Sequence, residues 1–173
     1  VMQFSVEPSA GRQTLASTIS NLHTETGKNV VEATLRVPNH RLWSVEEPTL
    51  YRVTASIQVA KSPSIDQQSV RCGFRDFRFE NGYFRLNGKR IFIKGTAYVP
   101  HFPITYVFPH DPELLRRDVD NLKKAGYNLV RIAFRSLPQL IELCDEAGIL
   151  VYQEHYGSWQ LKDSPNMKSR WNA

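Results

Sequence analysis

Side chains that carry charge, donate hydrogen bonds or stack as aromatic rings gather at three places in the second half of the sequence. In chain order these are Tyr98, His101 and Phe102, then Arg131, Phe134 and Arg135, and finally Gln153, Glu154, His155, Tyr156 and Trp159. A polyhydroxylated ligand suits this mixture, because its C–H faces stack on rings while its hydroxyl groups bond to carboxylate, guanidinium and imidazole groups. The residue types therefore indicate a carbohydrate site.

The elements predicted around these residues would bring them to one edge of a parallel sheet. One helix is predicted between Asp111, its N-cap, and Gly126, its stop signal, and a second over 138–147 with Gly148 as its stop, because apolar residues recur in both with a period of about 3.6. Apolar strands are predicted to end at Lys94, Ile132 and Tyr152. Strands that alternate with helices are typical of a parallel sheet with covered faces.

Two architectures begin with this order of elements, the closed (β/α)8 barrel and the open doubly wound sheet. An open nucleotide-binding sheet would place a Gly-rich turn after its first strand, but residues 95–103 have neither dinucleotide-binding nor P-loop spacing. In a barrel the active face lies at the carboxyl ends of the strands, where the candidate residues fall. No cofactor is predicted, and the spacing of His101, Glu154 and His155 gives no support to a metal site.

The first 80 residues show a different pattern, with apolar residues alternating at a period near two. The alternation is clearest at 3–6, 30–37, 50–57 and 69–72. It predicts an immunoglobulin-like β-sandwich of roughly seven strands. Trp43, in a loop between strands, is predicted to be a core or domain-interface anchor rather than a sugar platform. Tight turns at Asn81-Gly82 and Asn87-Gly88 predict a hairpin whose strands cover 83–86 and 90–94.

Composition excludes several classes of partner. The formal net charge is +5, but Lys and Arg are scattered and form no basic patch, so no nucleic-acid partner is predicted. Cys72 and Cys144 lie too far apart to mark a disulfide framework or a metal site, and both are predicted to be buried small hydrophobes. No stretch approaches the ~18 apolar residues of a membrane span, so no membrane partner is predicted.

Residues 42–159 resemble glycoside hydrolase family 2, the group of β-galactosidases, β-glucuronidases and β-mannosidases. The resemblance rests on LWS at 42–44, PTLY at 48–51, GFR at 73–75, FRLNGK at 84–89, KG at 94–95, LKKAGYNLVR at 122–131 and LCDEAGILV at 143–151. The chain is thus expected to be an α+β chain of two parts. An N-terminally incomplete sandwich domain over 1–80 would precede a truncated domain over 81–173, containing the first three strands and two helices of a TIM (β/α)8 barrel.

The resemblance implies a retaining, exo-acting β-glycosidase that hydrolyses O-glycosidic bonds. One Glu would act as acid/base and a second, about 5 Å away, as nucleophile. In the family these residues follow the fourth and seventh barrel strands. Neither is therefore expected in this chain, which is expected to be inactive alone. Its expected partners are a carbohydrate substrate and the remainder of its own barrel.

The resemblance also suggests roles for individual residues at the strand ends. Arg131 would point towards the nucleophile and keep that carboxylate ionised, or would simply pair with a local carboxylate. Glu154 would shape the sugar pocket without catalysing, or would be a buried, hydrogen-bonded carboxylate. His101 and His155 would bind sugar or be satisfied within the protein, and Phe134 would line the pocket.

The sequence leaves the sugar open. The galactosidase branch commonly has His-Tyr-Pro shortly after the Arg, whereas this chain reads FRSLP at 134–138. The segments at 94–100 and 150–154 look closer to the mannosidase branch, but the Trp-Gly-Gly-Gly of that branch is absent. The alternative function is a non-catalytic carbohydrate-binding or structural sandwich module. Such a module would need exposed aromatic rows, and Phe4, Tyr51 and Phe74 are spaced like core residues instead.

Overall fold

The chain forms two compact units, Val1–Ile91 and Phe92–Ala173. The computed structural model describes residues 1–11, 13–21, 26–59, 65–99, 101–102, 104–105, 109, 111–133 and 137–154. The domain ranges 1–80 and 81–173 stay a prediction. None of the helices in these ranges is long and apolar enough to cross a membrane.

The first unit contains an antiparallel sheet of four strands. These are β1 (Met2–Pro8), β2 (Ala16–Ser20), β3 (Tyr51–Gln58) and β4 (Ile65–Cys72), in the order β2-β1-β3-β4. The strands expected at 3–6, 50–57 and 69–72 fall within β1, β3 and β4 apart from residue 50, and are confirmed. The strand expected at 30–37 is wrong, because this segment joins no sheet of the described residues and Val30 is 78% exposed.

A second sheet of the first unit is a three-stranded meander of β5 (Phe77–Glu80), β6 (Tyr83–Leu86) and β7 (Lys89–Arg90). Both Asn-Gly turns are confirmed: φ is positive at Asn81 and Gly82 and again at Asn87 and Gly88. The strand predicted over 90–94 is confirmed only at its start, because β7 ends at Arg90. The Ile91 N–H still donates to the Phe84 carbonyl of β6 at 2.9 Å, and beyond it the Asn128 side chain bonds to the backbone of Phe92 and Lys94.

Trp43 occupies the core of the first unit and is fully buried. Its backbone N–H donates to the Phe74 carbonyl at 2.8 Å, and its carbonyl accepts from Asn87 Nδ2 at 3.0 Å. The prediction of a core anchor is confirmed. Tyr51 is also buried, and its ring lies 4.9 Å from that of Phe74.

The second unit has a parallel sheet of β8 (Gly95–Tyr98), β9 (Leu129–Ile132) and β10 (Leu150–Gln153), in the order β10-β9-β8. The expectation that the first strand ends at Lys94 is wrong, because the strand begins at Gly95. A Cβ at Gly95 would lie 3.0 Å from Leu129 Cδ2, so the glycine allows β9 to approach closely. Glycine here permits a strand, whereas the sequence pattern predicts that the strand ends before it.

Two helices, α1 (Glu113–Lys124) and α2 (Pro138–Ala147), join these strands. Asp111 precedes α1, and its carboxylate accepts a hydrogen bond from the Glu113 N–H at 2.9 Å. Gly126 and Gly148 follow the helices with φ of 83° and 70°, which confirms the predicted stops. The expected apolar faces pack into one core: Leu115, Val119, Leu140 and Cys144 are buried among Val130, Ile132 and Ile149.

The cysteines are free thiols. Cys144 is buried as predicted, and burial raises the pKa of its thiol to about 12, so it stays protonated at neutral pH and packs as an apolar group. Cys72 is only half-buried, which corrects the expectation for that residue.

Asn128 binds the segment that leads into β8. Its Oδ1 accepts from the Lys94 N–H at 2.7 Å, and its Nδ2 donates to the Phe92 carbonyl at 2.8 Å. Asn128→Ala is expected to destabilise the second unit of the full-length protein by about 1–3 kcal/mol, because it leaves two backbone groups without these partners. Native-state hydrogen exchange of peptides from β8 and β9 would measure the loss.

The matched control is Asn121→Ala, because Asn121 is exposed on α1. We expect that change to alter stability by less than about 0.5 kcal/mol. Equal exchange rates in the Asn128 and Asn121 variants would contradict the structural role of Asn128.

Candidate functional site

The carboxyl ends of β8, β9 and β10 lie at one edge of the sheet, because the strands run parallel. Ala97, Arg131 and Tyr152 are in register across them and share a face. Val130 and Ile132 alternate with Arg131 and are buried in the core with the helices. Arg131 and its neighbours in register therefore lie on the opposite face, where Tyr152 is 58% exposed.

Arg131 and Glu154 form an ion pair at this edge. Arg131 Nε donates to Glu154 Oε1 at 2.6 Å, and Arg131 Nη2 contacts the same oxygen. The Glu154 side chain is 14% exposed, while that of Arg131 is 41% exposed. A charge-assisted pair with one partner largely buried holds its geometry better than a surface pair does.

Backbone hydrogen bonds fix Glu154 one residue beyond the end of β10. Its N–H donates to the Ile132 carbonyl at 3.0 Å and so continues the parallel ladder with β9. The Gln153 side-chain amide donates to the Ile132 carbonyl at 3.3 Å and to the Glu154 carbonyl at 3.0 Å. The backbone of Glu154 is therefore held at the strand ends, and its carboxylate is bonded to Arg131.

The structure separates the other candidate residues. Phe102 is buried in the core with the helices, so its ring is a packing group. Tyr98 packs against the same core and donates its hydroxyl to Asp118 Oδ2 at 3.0 Å. Burial and the adjacent Asp118 carboxylate raise the pKa of the Tyr98 phenol. His101 is exposed, whereas Phe134 and His155 lie outside the described residues.

Tyr152 and Ala97 belong to the face that carries Arg131, and the sequence interpretation had not selected them. Selecting them requires the register between neighbouring strands, that is, which residues lie side by side. The spacing of residues along the sequence does not give that register. Ala97 leaves the β8 side of Arg131 with only a methyl group, whereas Tyr152 supplies a ring on the β10 side. Within the described ranges, no group of three or more His, Cys, Asp or Glu residues could hold a metal ion.

Comparison with known proteins assigns both units to one family. The sequence profile of "Glycosyl hydrolases family 2" matches residues 3–75. That of "Glycosyl hydrolases family 2, TIM barrel domain" matches residues 77–169, more than half of the chain. The chain belongs to glycosyl hydrolase family 2. The sandwich domain and the beginning of a TIM barrel domain expected from the sequence are thereby supported.

Individual relatives agree with this assignment. A β-galactosidase of Alteromonas mediterranea is 33% identical over 127 residues, which are 73% of this chain and 12% of that protein. The crystal structure of the Parabacteroides merdae β-glucuronidase has 26% identity and a TM-score of 0.75, and the match covers 88% of this chain and 19% of that one. Bacteroides uniformis β-glucuronidase 2, covalently bound to cyclophellitol-6-carboxylate aziridine, has 27% identity and a TM-score of 0.80 over 97% of this chain and 20% of that one. This glycosyl hydrolase family 2 chain thus spans a small part of the length of these relatives.

Proposed function

We propose that this chain is part of a retaining, exo-acting β-glycosidase. Its first unit would belong to an immunoglobulin-like sandwich, and β8, β9, β10 and the two helices would begin a (β/α)8 barrel. The observation that carries the proposal is the Arg131–Glu154 pair at the carboxyl ends of adjacent parallel strands, in the segment that the barrel profile matches. In barrel enzymes, active sites are built at that edge.

Arg131 would supply positive charge to the pocket. Its side chain is 41% exposed on the face opposite the helices, where an anionic group would approach it. A cation next to a nucleophilic carboxylate favours the ionised form that attacks the anomeric carbon. Glu154 would not itself act as nucleophile, because the family resemblance places that residue after the seventh barrel strand and Glu154 follows β10, the third.

The catalytic carboxylates would come from later strands of the same barrel. Retention requires an acid/base and a nucleophile about 5–5.5 Å apart, and the second forms a covalent glycosyl–enzyme intermediate. The covalent complex of the B. uniformis relative, with its cyclophellitol-type aziridine, supports this mechanism for the present chain. His101, and Phe134 and His155 outside the described residues, would complete the pocket.

The substrate would be a terminal β-linked sugar. Relatives are named as a β-galactosidase and β-glucuronidases, so galactosides and glucuronides come first, with mannosides third because of the resemblance at 94–100 and 150–154.

A panel of nitrophenyl β-D-galactoside, β-D-glucuronide and β-D-mannoside, incubated with the full-length protein, tests the proposal. We expect one glycoside to be hydrolysed and the first-formed sugar to have the β configuration by proton NMR. First-formed α-sugar would exclude retention. Binding of a sugar without hydrolysis of any member of a wider aryl glycoside panel would favour the non-catalytic module.

A further inference from the structure

The contacts of Arg131 leave one edge of its guanidinium directed away from Glu154. Nε and Nη2 form the side edge of the planar group, and both reach Glu154 Oε1. The end edge, formed by Nη1 and Nη2, carries the remaining donors of the fork. On the β8 side the neighbour in register is Ala97, whose methyl group cannot compete for these donors.

We infer that Glu154 is a positioning residue, which holds the side edge of Arg131 so that the end edge faces the catalytic carboxylate of the same barrel. The inference rests on the proposed function and adds a role for Glu154 that the family membership does not specify. Arginine has a long, flexible stem. Holding its guanidinium in place before the reaction means that no conformational entropy has to be lost to orient it in the transition state.

The burial of the two partners supports this direction of control. Glu154 is the more buried side chain, and its backbone N–H and carbonyl are both hydrogen-bonded at the strand ends. Arg131 is the more exposed partner, so its orientation depends on the carboxylate rather than the reverse. The other titratable group in this row is Tyr152, from β10, while β8 contributes the uncharged Ala97.

A purely electrostatic role for Glu154 predicts the opposite pH response. Removing a negative charge near a nucleophilic carboxylate would favour its ionised form and move the acidic limb of the kcat/KM profile to lower pH. Misorienting Arg131 would weaken the stabilisation of that ionised form and move the limb to higher pH. The sign of the shift therefore separates the two roles.

The experiment uses Glu154→Gln and Glu154→Asp in the full-length protein, assayed on the aryl glycoside that it hydrolyses. We expect kcat to fall about 10- to 100-fold in both variants with a smaller change in KM, because orientation matters most in the transition state. We expect the acidic limb to move to higher pH in Glu154→Gln. Glu154→Asp keeps the charge but shortens the reach, so a fall in kcat there points to geometry.

Two further variants complete the test. In an Arg131→Ala background, Glu154→Gln is expected to change kcat less than about twofold, because its effect passes through Arg131. Glu146→Gln is the matched control: Glu146 also pairs with an arginine, Arg116, but at 3.7 Å between α1 and α2, and wild-type kinetics are expected.

The outcomes separate this inference from the proposed function. The positioning role is overturned if the acidic limb of Glu154→Gln moves to lower pH. It is also overturned if Glu154→Gln lowers kcat as much in the Arg131→Ala background as in the wild type. Neither result contradicts the proposed glycosidase function. A folded wild-type protein that hydrolyses no aryl glycoside overturns both.

Discussion

Arg131→Ala in the full-length protein is expected to lower kcat on its aryl glycoside by about 100- to 1000-fold, the loss that follows removal of one preorganised donor from an active site. Arg131 lies at the strand ends on the face of the parallel sheet opposite α1 and α2, where the pocket is proposed. The variant would lose the positive charge that we propose stabilises the nucleophile and the developing transition state. It would also remove the Arg131 cation from the Glu154 carboxylate, whose side chain is only 14% exposed.

The pH profile gives the physical reason for the loss. Without Arg131, the pKa of the nucleophilic carboxylate is expected to rise, so the acidic limb of kcat/KM moves to higher pH. Arg131→Lys retains a positive charge but not the planar fork. We therefore expect its acidic limb to lie close to the wild-type pH while its kcat stays well below the wild-type value.

Arg116→Ala is the control for the loss of a paired arginine. Arg116 is exposed on α1 and lies 3.8 Å from Glu113 and 3.7 Å from Glu146. Its removal is expected to leave kcat and KM within about twofold of wild type, since exposed ion pairs contribute about 0–1 kcal/mol. Wild-type activity in Arg131→Ala would remove Arg131 from the proposed pocket, whatever the control does.

The sequence predicted the ends of β9 and β10 well enough to bring Arg131 and Glu154 to the same edge. Helical periodicity and glycine stop signals located α1 and α2. Strands connected through a helix run parallel when they pair in one sheet, so β8, β9 and β10 are expected to be parallel. Pairing of Arg131 with a local carboxylate is one of the alternatives that the sequence indicates, but the sequence could not identify Glu154 as that carboxylate. That contact depends on the register of β9 against β10, which hydrophobic alternation leaves undetermined when neighbouring strands have similar patterns.

Local signals failed where tertiary contacts override them. Gly95 opens β8 because Leu129 of the neighbouring strand needs the space that a side chain would fill. Residues 30–37 alternate like a strand, yet Val30 is exposed and the segment joins no described sheet. A β-strand requires a neighbouring strand with free backbone hydrogen-bonding groups as well as an alternating sequence. Whether such a neighbour is present depends on the tertiary fold.

Trp43→Ala is expected to cost the first unit about 3–5 kcal/mol, because a fully buried tryptophan would leave a large cavity. Exchange of amide hydrogens in peptides from β3 and β4, measured in the full-length protein, would report the loss locally. Phe79→Ala is the aromatic control, since Phe79 is 67% exposed, and it is expected to cost less than about 1 kcal/mol. Similar losses in the two variants would contradict the central place of Trp43.

Gly73 shows why Trp43 matters to the fold. A Cβ at Gly73 would lie 2.8 Å from Trp43 Cβ and 3.1 Å from its Cγ and Cδ1, so Gly73→Ala is expected to cost about 1–3 kcal/mol through overpacking. In a Trp43→Ala background that cost should shrink without vanishing, because the ring atoms are gone while the Cβ remains. If Gly73→Ala destabilised the Trp43→Ala variant as much as it destabilises the wild type, the Trp43 ring would not be the source of the overpacking.

The same contacts explain why three separated motifs occur together in this sequence. The guanidinium of Arg75 stacks 4.8 Å from the Trp43 ring, and Asn87 Nδ2 donates to the Trp43 carbonyl. The LWS, GFR and FRLNGK segments thus meet at one buried residue, Trp43. A substitution in any of them is expected to reduce hydrogen-exchange protection in β3 and β4 as well as at its own site.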